Sequence, residues 1–169
     1  FRSLFANNGL VNYVLVNIGI LDKPYNFLTQ PFAAKMVILL GLLWRWTGYN
    51  MVFFLSGLQN IEYSVYEAAK IDGASAIQTF FKITVPLLKP TILLTAIMST
   101  NGTLQLFDES VNLTDGGPAN ASISMSHYIY NLCFKYVPNF GYAAAMSFFI
   151  LLLVAVLAFI QMRVGDKRD

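Results

Sequence analysis

Three apolar runs, 36–58, 90–107 and 142–162, alternate with polar stretches and set the strongest limit on what this chain can fold into. A helix needs about twenty apolar residues to cross a bilayer, and in lipid an open chain satisfies its backbone hydrogen bonds only as a helix. An all-α, polytopic membrane helix bundle is therefore expected. Composition points the same way, because only 12% of the 169 residues are charged, whereas soluble domains carry about 25%. A net charge of +2, with no clustered basic face, argues against nucleic acid as a partner. One cysteine, Cys133, and one histidine, His127, form no metal-ligand set and no nucleophile and base pair. No catalytic residue, metal site or bound cofactor is expected, and His127 reads as a solvated or packed side chain. Asn101-Gly-Thr103, Asn112-Leu-Thr114 and Asn120-Ala-Ser122 match the glycosylation pattern by coincidence.

The chain begins at Phe1 with no signal-peptide pattern and is expected to be the C-terminal part of a longer protein. Residues 1–35 carry turn signals, and Leu10–Leu21 is too short to span, so an external loop with a short interfacial helix is expected. Within the first run, Arg45 lies between Trp44 and Trp46. A charge at that depth costs about 2.5 to 3.5 kcal/mol on insertion scales, so Arg45 must face a polar cavity or lock its helix to a neighbour. Tyr49 and Asn50 follow it; an aromatic face stacks on a sugar ring and an amide bonds its hydroxyls. In the second run, Asn101, Gln105 and Asp108 recur at helical spacing as one polar stripe, with Ser99 and Thr103 beside it. Lipid cannot satisfy them, so they line an aqueous pathway or hold neighbouring helices, and Gly102 leaves room for close approach. The third run opens on Ala143-Ala144-Ala145, suited to tight helix packing.

The polar island between the first two runs, Tyr66-Glu-Ala-Ala-Lys-Ile-Asp-Gly73 continuing to Ile83-Thr-Val-Pro86, is the most informative stretch. Ala69, Gly73 and Ala76 recur at four and three residues and are expected to form one nearly bare helical face that a partner backbone can approach. Ser64-x-x-Glu67 predicts a capping box with a helix start at Ser64. Gly73 would cost about 1 kcal/mol inside a helix, so it predicts a bend or close contact dividing the loop into two short helices. Pro86 and Pro90 are expected to end the loop and open the next segment.

With its spacing of Glu-Ala-Ala, three residues, Gly, nine residues and Ile-x-Val-Pro, this island resembles the cytoplasmic EAA loop of ABC importer permeases, with valine in place of the usual leucine. Leu113-Thr-Asp-Gly-Gly-Pro118, Tyr128-Ile-Tyr130 and Gly141-Tyr-Ala-Ala-Ala-Met-Ser147 are similar to stretches of the maltose, glycerol-phosphate and multiple-sugar type permeases, specifically the first of two paired permeases. The resemblance implies the type I importer fold, here the C-terminal part of a six-helix core in one permease domain. It implies spans at 36–58, 90–107 and 142–162, a cytoplasmic coupling loop over 59–89, an external loop over 108–141 and a cytoplasmic tail over 163–169. Lys70, Lys82, Lys89, Arg163, Lys167 and Arg168 then lie inside and Arg2, Lys23, Lys35 and Lys135 outside, in agreement with the positive-inside rule.

Functionally, the resemblance implies one half of a carbohydrate pathway in a bacterial or archaeal cytoplasmic membrane. Expected partners are a second homologous permease, a dimer of ATPase subunits that carry ATP and Mg, a solute-binding protein, the sugar and membrane lipid. Glu67, Ala68, Ala69, Asp72, Gly73, Ile83 and Pro86 would couple to the ATPase, and the family assigns the contact itself to the glutamate at the position of Glu67. Tyr49, Asn50, Ser99, Asn101, Gly102, Thr103, Gln105 and Asp108 would line the substrate pathway, with Arg45 either on it or locking helices. In the family, a tyrosine at the distance of Tyr49 from the EAA glutamate contacts sugar. The sequence holds no Gly-x-x-x-x-Gly-Lys-Ser/Thr phosphate loop, so ATP hydrolysis is expected on the partners. The competing reading is an ion-coupled secondary transporter or channel using Arg45, Asp108 and Glu109 as charge relays.

Overall fold

A computed structural model describes residues 1–165; Lys167 and Arg168 of the expected tail lie outside the described residues. The described residues form helices and connecting turns, with no strand. Two short helices, α1 (Arg2–Phe5) and α2 (Leu10–Asn17), precede the long α3 (Pro31–Gln59). Next come α4 (Tyr63–Ile71), α5 (Ala76–Leu87) with a π-turn at Phe80–Thr84, and α6 (Lys89–Leu104). A further π-turn at Ser110–Thr114 leads to α7 (Met125–Tyr130), which continues as a third over Asn131–Lys135, and α8 (Phe140–Gly165) closes the described chain.

Helices α3 and α8 are each long and apolar enough to cross a bilayer. Both outrun the apolar runs read from the sequence; α3 opens on Pro31, whose missing N–H is no loss in a first turn. The second run behaves differently. Helix α6 has only 16 residues and is bent by 64° from α5, so this region reaches spanning length only if the bent pair counts as one span. It stops at Leu104 because Ser99-Thr-Asn-Gly-Thr103 is a run of poor helix formers. The expected stripe of Asn101, Gln105 and Asp108 is therefore not one helical face, since Gln105 and Asp108 lie past the helix end.

The chain divides into two compact units, residues 1–45 with 102–153 and residues 46–101 with 154–169. In the first, Asn12 is 1% exposed and uses its whole amide. Its Nδ2 donates to the carbonyls of Ala6, Asn7 and Tyr25, and its Oδ1 accepts from the Tyr25 N–H at 2.8 Å. One asparagine thus ties the α1–α2 turn to the irregular segment before α3. Ala33, Ala34, Val37, Ile38, Gly41 and Leu42 form the buried stripe of α3, at helical spacing and mostly small. A Cβ built on Gly41 would sit 3.6 Å from Leu113. In the second unit, Gly57 permits a closer approach still: a Cβ there would lie 2.9 Å from both Leu88 and Thr91. Large apolar side chains such as Leu43, Trp44, Phe148, Leu151 and Phe159 remain exposed, as lipid-facing helices require.

The segment 110–135 is held by polar contacts. Asp115, Gly116, Ala119 and Asn120 all adopt positive φ, at 49°, 76°, 48° and 61°. Ser110, fully buried, donates its hydroxyl to the Ser122 carbonyl at 2.8 Å and lies 2.9 Å from His127 Nδ1. With the serine proton so used, Nδ1 carries the imidazole proton and donates to Ser110. Nε2 faces the Asp115 carboxylate at 3.7 Å, and Lys135 bonds both oxygens of that carboxylate at 3.1 and 3.2 Å. His127 is thus a packed residue, as one of its two sequence readings has it. Burial holds its pKa below the ordinary 6.5, with Lys135 adding to the effect and Asp115 opposing it.

An unfolded histidine then binds a proton at a pH where the folded one does not. Stability is constant above about 6.5 and falls as pH drops through the window between the unfolded and folded values, by at most about 1.4 kcal/mol per pH unit. Melting of the detergent-solubilised full-length protein between pH 7.5 and 5 should show this fall, and His127→Gln should flatten it. An equal slope in both proteins would place the titrating group elsewhere.

Candidate functional site

The stretch expected to be a coupling loop is two helices joined at a glycine. Helix α4 starts from Glu62, whose backbone is extended and whose side chain makes no cap bond. Ser64 falls inside the helix and donates instead to Glu62 Oε2 at 3.3 Å, so the expected Ser64 and Glu67 capping box does not form. The box lies further on. Ser75 Oγ accepts from the Gln78 N–H and Gln78 Oε1 from the Ser75 N–H, opening α5. Ser75-x-x-Gln78 is itself a capping-box pattern in the sequence, eleven residues beyond Ser64.

Helix α4 ends in a Schellman motif. The Ala74 N–H donates to the Ala69 carbonyl and the Gly73 N–H to that of Lys70, with Gly73 at φ +74°. Gly73 thus separates two short helices, and because α4 stops at Ile71, Ala69, Gly73 and Ala76 share no single helical face. Of these loop residues Ala69 is buried, whereas Glu67, Ala68, Asp72 and Gly73 are exposed. Around them Tyr63, Ile71, Ile77 and Phe81 are each at least 65% exposed, an apolar set on an otherwise polar loop. Thr84, buried, donates to Tyr66 Oη at 3.4 Å and ties α5 back to α4.

Ile83 is half-buried within the π-turn, where the Val85 N–H reaches back five residues to Phe80. That shifted register lets Pro86, which has no N–H, sit inside the last turn of α5 rather than end the loop ahead of it. The break comes at Leu88, and Pro90 occupies the first turn of α6.

Of the expected pathway residues, Tyr49, Asn50, Ser99 and Asn101 fall in the second unit, and Gly102, Thr103, Gln105 and Asp108 in the first. Asn50 and Ser99 are engaged with each other: Nδ2 donates to Oγ at 3.1 Å and Oγ stands 3.3 Å from Oδ1. They lock α3 to α6. Gln161 does the same from α8, donating to Thr100 at 2.8 Å, a pair that sequence spacing alone could not find. Tyr49 is half-exposed, with its ring near perpendicular to that of Trp46 and 5.2 Å from that of Phe53. Asn101, Thr103, Gln105 and Asp108 are exposed.

Arg45 makes an ion pair with Glu109 at 2.7 Å, both in the first unit. The Glu109 side chain is 12% exposed, and its other oxygen is buried with no hydrogen bond in the structure. Arginine therefore joins α3 to the turn that follows α6. The sequence reading had Arg45 as a candidate but had no partner for it, because the two lie far apart in the chain. Among the described residues no group of His, Cys, Asp and Glu is placed to hold a metal.

The family of binding-protein-dependent transport system inner membrane components matches residues 5–168. The lactose transport system permease protein LacF of Rhizobium radiobacter is 53% identical over 170 residues, covering 99% of this chain and 57% of that protein. The trehalose/maltose transport system permease protein MalF of Thermococcus litoralis is 36% identical over 160 residues, covering 95% and 53%. This chain therefore spans little more than half the length of these relatives. Among solved structures, a bacterial alginate ABC transporter in complex with its alginate pentasaccharide-bound periplasmic protein is similar with a TM-score of 0.83 and 26% identity, over 98% of this chain and 57% of that one.

Proposed function

The chain belongs to the binding-protein-dependent transport system inner membrane component family, and on that premise we propose that it is a permease subunit of a carbohydrate importer. Its fold is the all-helical type I importer permease fold of the alginate transporter. With a second permease it would form the translocation pathway in a bacterial or archaeal cytoplasmic membrane. A binding protein outside would deliver an oligosaccharide or sugar derivative, and two ATPase subunits inside, carrying ATP and Mg, would supply the work.

The observation that carries this reading is the coupling loop. A short helix presents Glu67 outward, ends on a glycine turn ringed by exposed apolar side chains, and is tied to α5 through Tyr66 and Thr84. Such a surface suits an apolar groove on another protein, and a push on it reaches α6 through the 64° bend at Leu88. The sugar reading draws support from the lactose and trehalose/maltose relatives and from Tyr49, whose half-exposed aromatic ring is of the kind that stacks on a pyranose.

The test is uptake into proteoliposomes holding the full assembly. ATP inside should drive sugar entry with no ion gradient imposed; uptake that follows an ion gradient and ignores ATP would make the protein a secondary transporter. In the same system, Tyr49→Ala and Asn101→Ala should each raise the KM for sugar about tenfold, the loss of roughly 1.4 kcal/mol of contact, while the ATPase still co-purifies. An unchanged KM in both would remove them from the pathway.

A further inference from the structure

The N-terminal segment contains a cleft that the coupling loop and the membrane residues do not involve. It measures about 310 Å³, at the small end of ligand pockets. Its floor is Asn12, rigid because every donor and acceptor of its amide is already bonded to the backbone of residues 6, 7 and 25. Around this floor stand Asn7, Asn8, Asn17, Tyr13 and Pro24, and no lining residue carries a charge. The side chains of Asn7, Asn8 and Asn17 are exposed and make no hydrogen bond in the structure, and the Tyr13 ring is 69% exposed.

We propose that this cleft is a second saccharide subsite, for a neutral sugar ring, on the side of the membrane where the binding protein docks. The inference rests on the importer reading. Each free amide offers both a donor and an acceptor, as a pair of vicinal hydroxyls requires, and Tyr13 supplies an apolar face for the ring. A phosphate or carboxylate would find no cation among the lining residues, which favours a neutral ring. The subsite would hold one end of an oligosaccharide between its release from the binding protein and its entry into the pathway.

The test uses the full-length permease in its complete assembly, in nanodiscs, with a lactose analogue bearing a diazirine as the probe. Illumination should label residues 7–24; excess lactose should suppress the label and glucuronate should not. Tyr13→Ala, and separately the pair Asn8→Ala with Asn17→Ala, should cut labelling about tenfold, while the permease still assembles with its partner subunits. Uptake with label confined to other segments would overturn the subsite and leave the importer reading standing. A Tyr13→Cys protein in a Cys133→Ser background that resists maleimide would overturn it too, since another part of the assembly would then fill the cleft. Label on 7–24 without ATP-driven uptake would instead support the subsite and sink the importer reading.

Discussion

Replacing Arg45 with methionine is expected to destabilise the full-length protein by about 3 kcal/mol, the larger part of it from Glu109 rather than from the lost arginine. Glu109 is nearly buried, one of its oxygens is bonded only by the guanidinium, and the other has no hydrogen bond. With Arg45 gone, a carboxylate would stay in a poorly solvated site with nothing to balance it. Breaking a buried pair typically costs about 3 to 5 kcal/mol, and the half-exposed guanidinium places this pair at the lower end. Removing both charges should cost far less, because an apolar pair of similar volume needs no desolvation. Arg45→Met with Glu109→Leu is therefore expected to lie within about 1 kcal/mol of the parent. Denaturation of all three variants alongside the parent gives a coupling energy; strictly additive effects would show that the two residues act separately. If Arg45 is a lock rather than a pathway residue, the double variant should also keep its uptake.

How much of this arrangement the sequence reveals depends on the range of the interaction. The helices of α3 and α8 follow from apolar length, and the glycine turn of the expected coupling loop follows from the one residue type that adopts φ near +74° without strain. Those are local signals. The Ser64 and Glu67 cap failed because the pattern says only that two residues could bond across a helix start, while the start itself lies one residue earlier, at Tyr63. The Asn101, Gln105 and Asp108 stripe failed because helical spacing was carried past the place where Gly102 and its polar neighbours let the helix end. The Asn50 and Ser99 bond, the Gln161 and Thr100 bond, the Arg45 and Glu109 pair and the Ser110 and His127 contact all join residues distant in the chain. No periodicity encodes such pairs. Asn12 is the clearest case, an ordinary polar residue in a weakly patterned segment that organises everything around it.

The coupling loop yields the other large effect. Gly73→Ala should reduce sugar taken up per ATP hydrolysed by tenfold or more, about 1.4 kcal/mol in the coupled step, with hydrolysis itself continuing. Two causes would give that result, and the structure separates them. A Cβ at Gly73 has no contact within 4 Å among the described residues, so alanine brings no clash with them. What remains is the left-handed backbone, which costs an ordinary L-residue roughly 1 to 2 kcal/mol but which asparagine tolerates. If the turn geometry alone matters, Gly73→Asn should recover most of the coupling that Gly73→Ala loses. If the glycine is there so that another backbone can press against it, asparagine should fail as badly as alanine, since either side chain would hold the partner away. The second outcome is the one the importer reading favours, because Glu67, Asp72 and Gly73 are exposed together with Ile71 and Ile77 and none of the described residues covers them. Normal coupling in Gly73→Ala would remove the glycine turn from force transmission altogether.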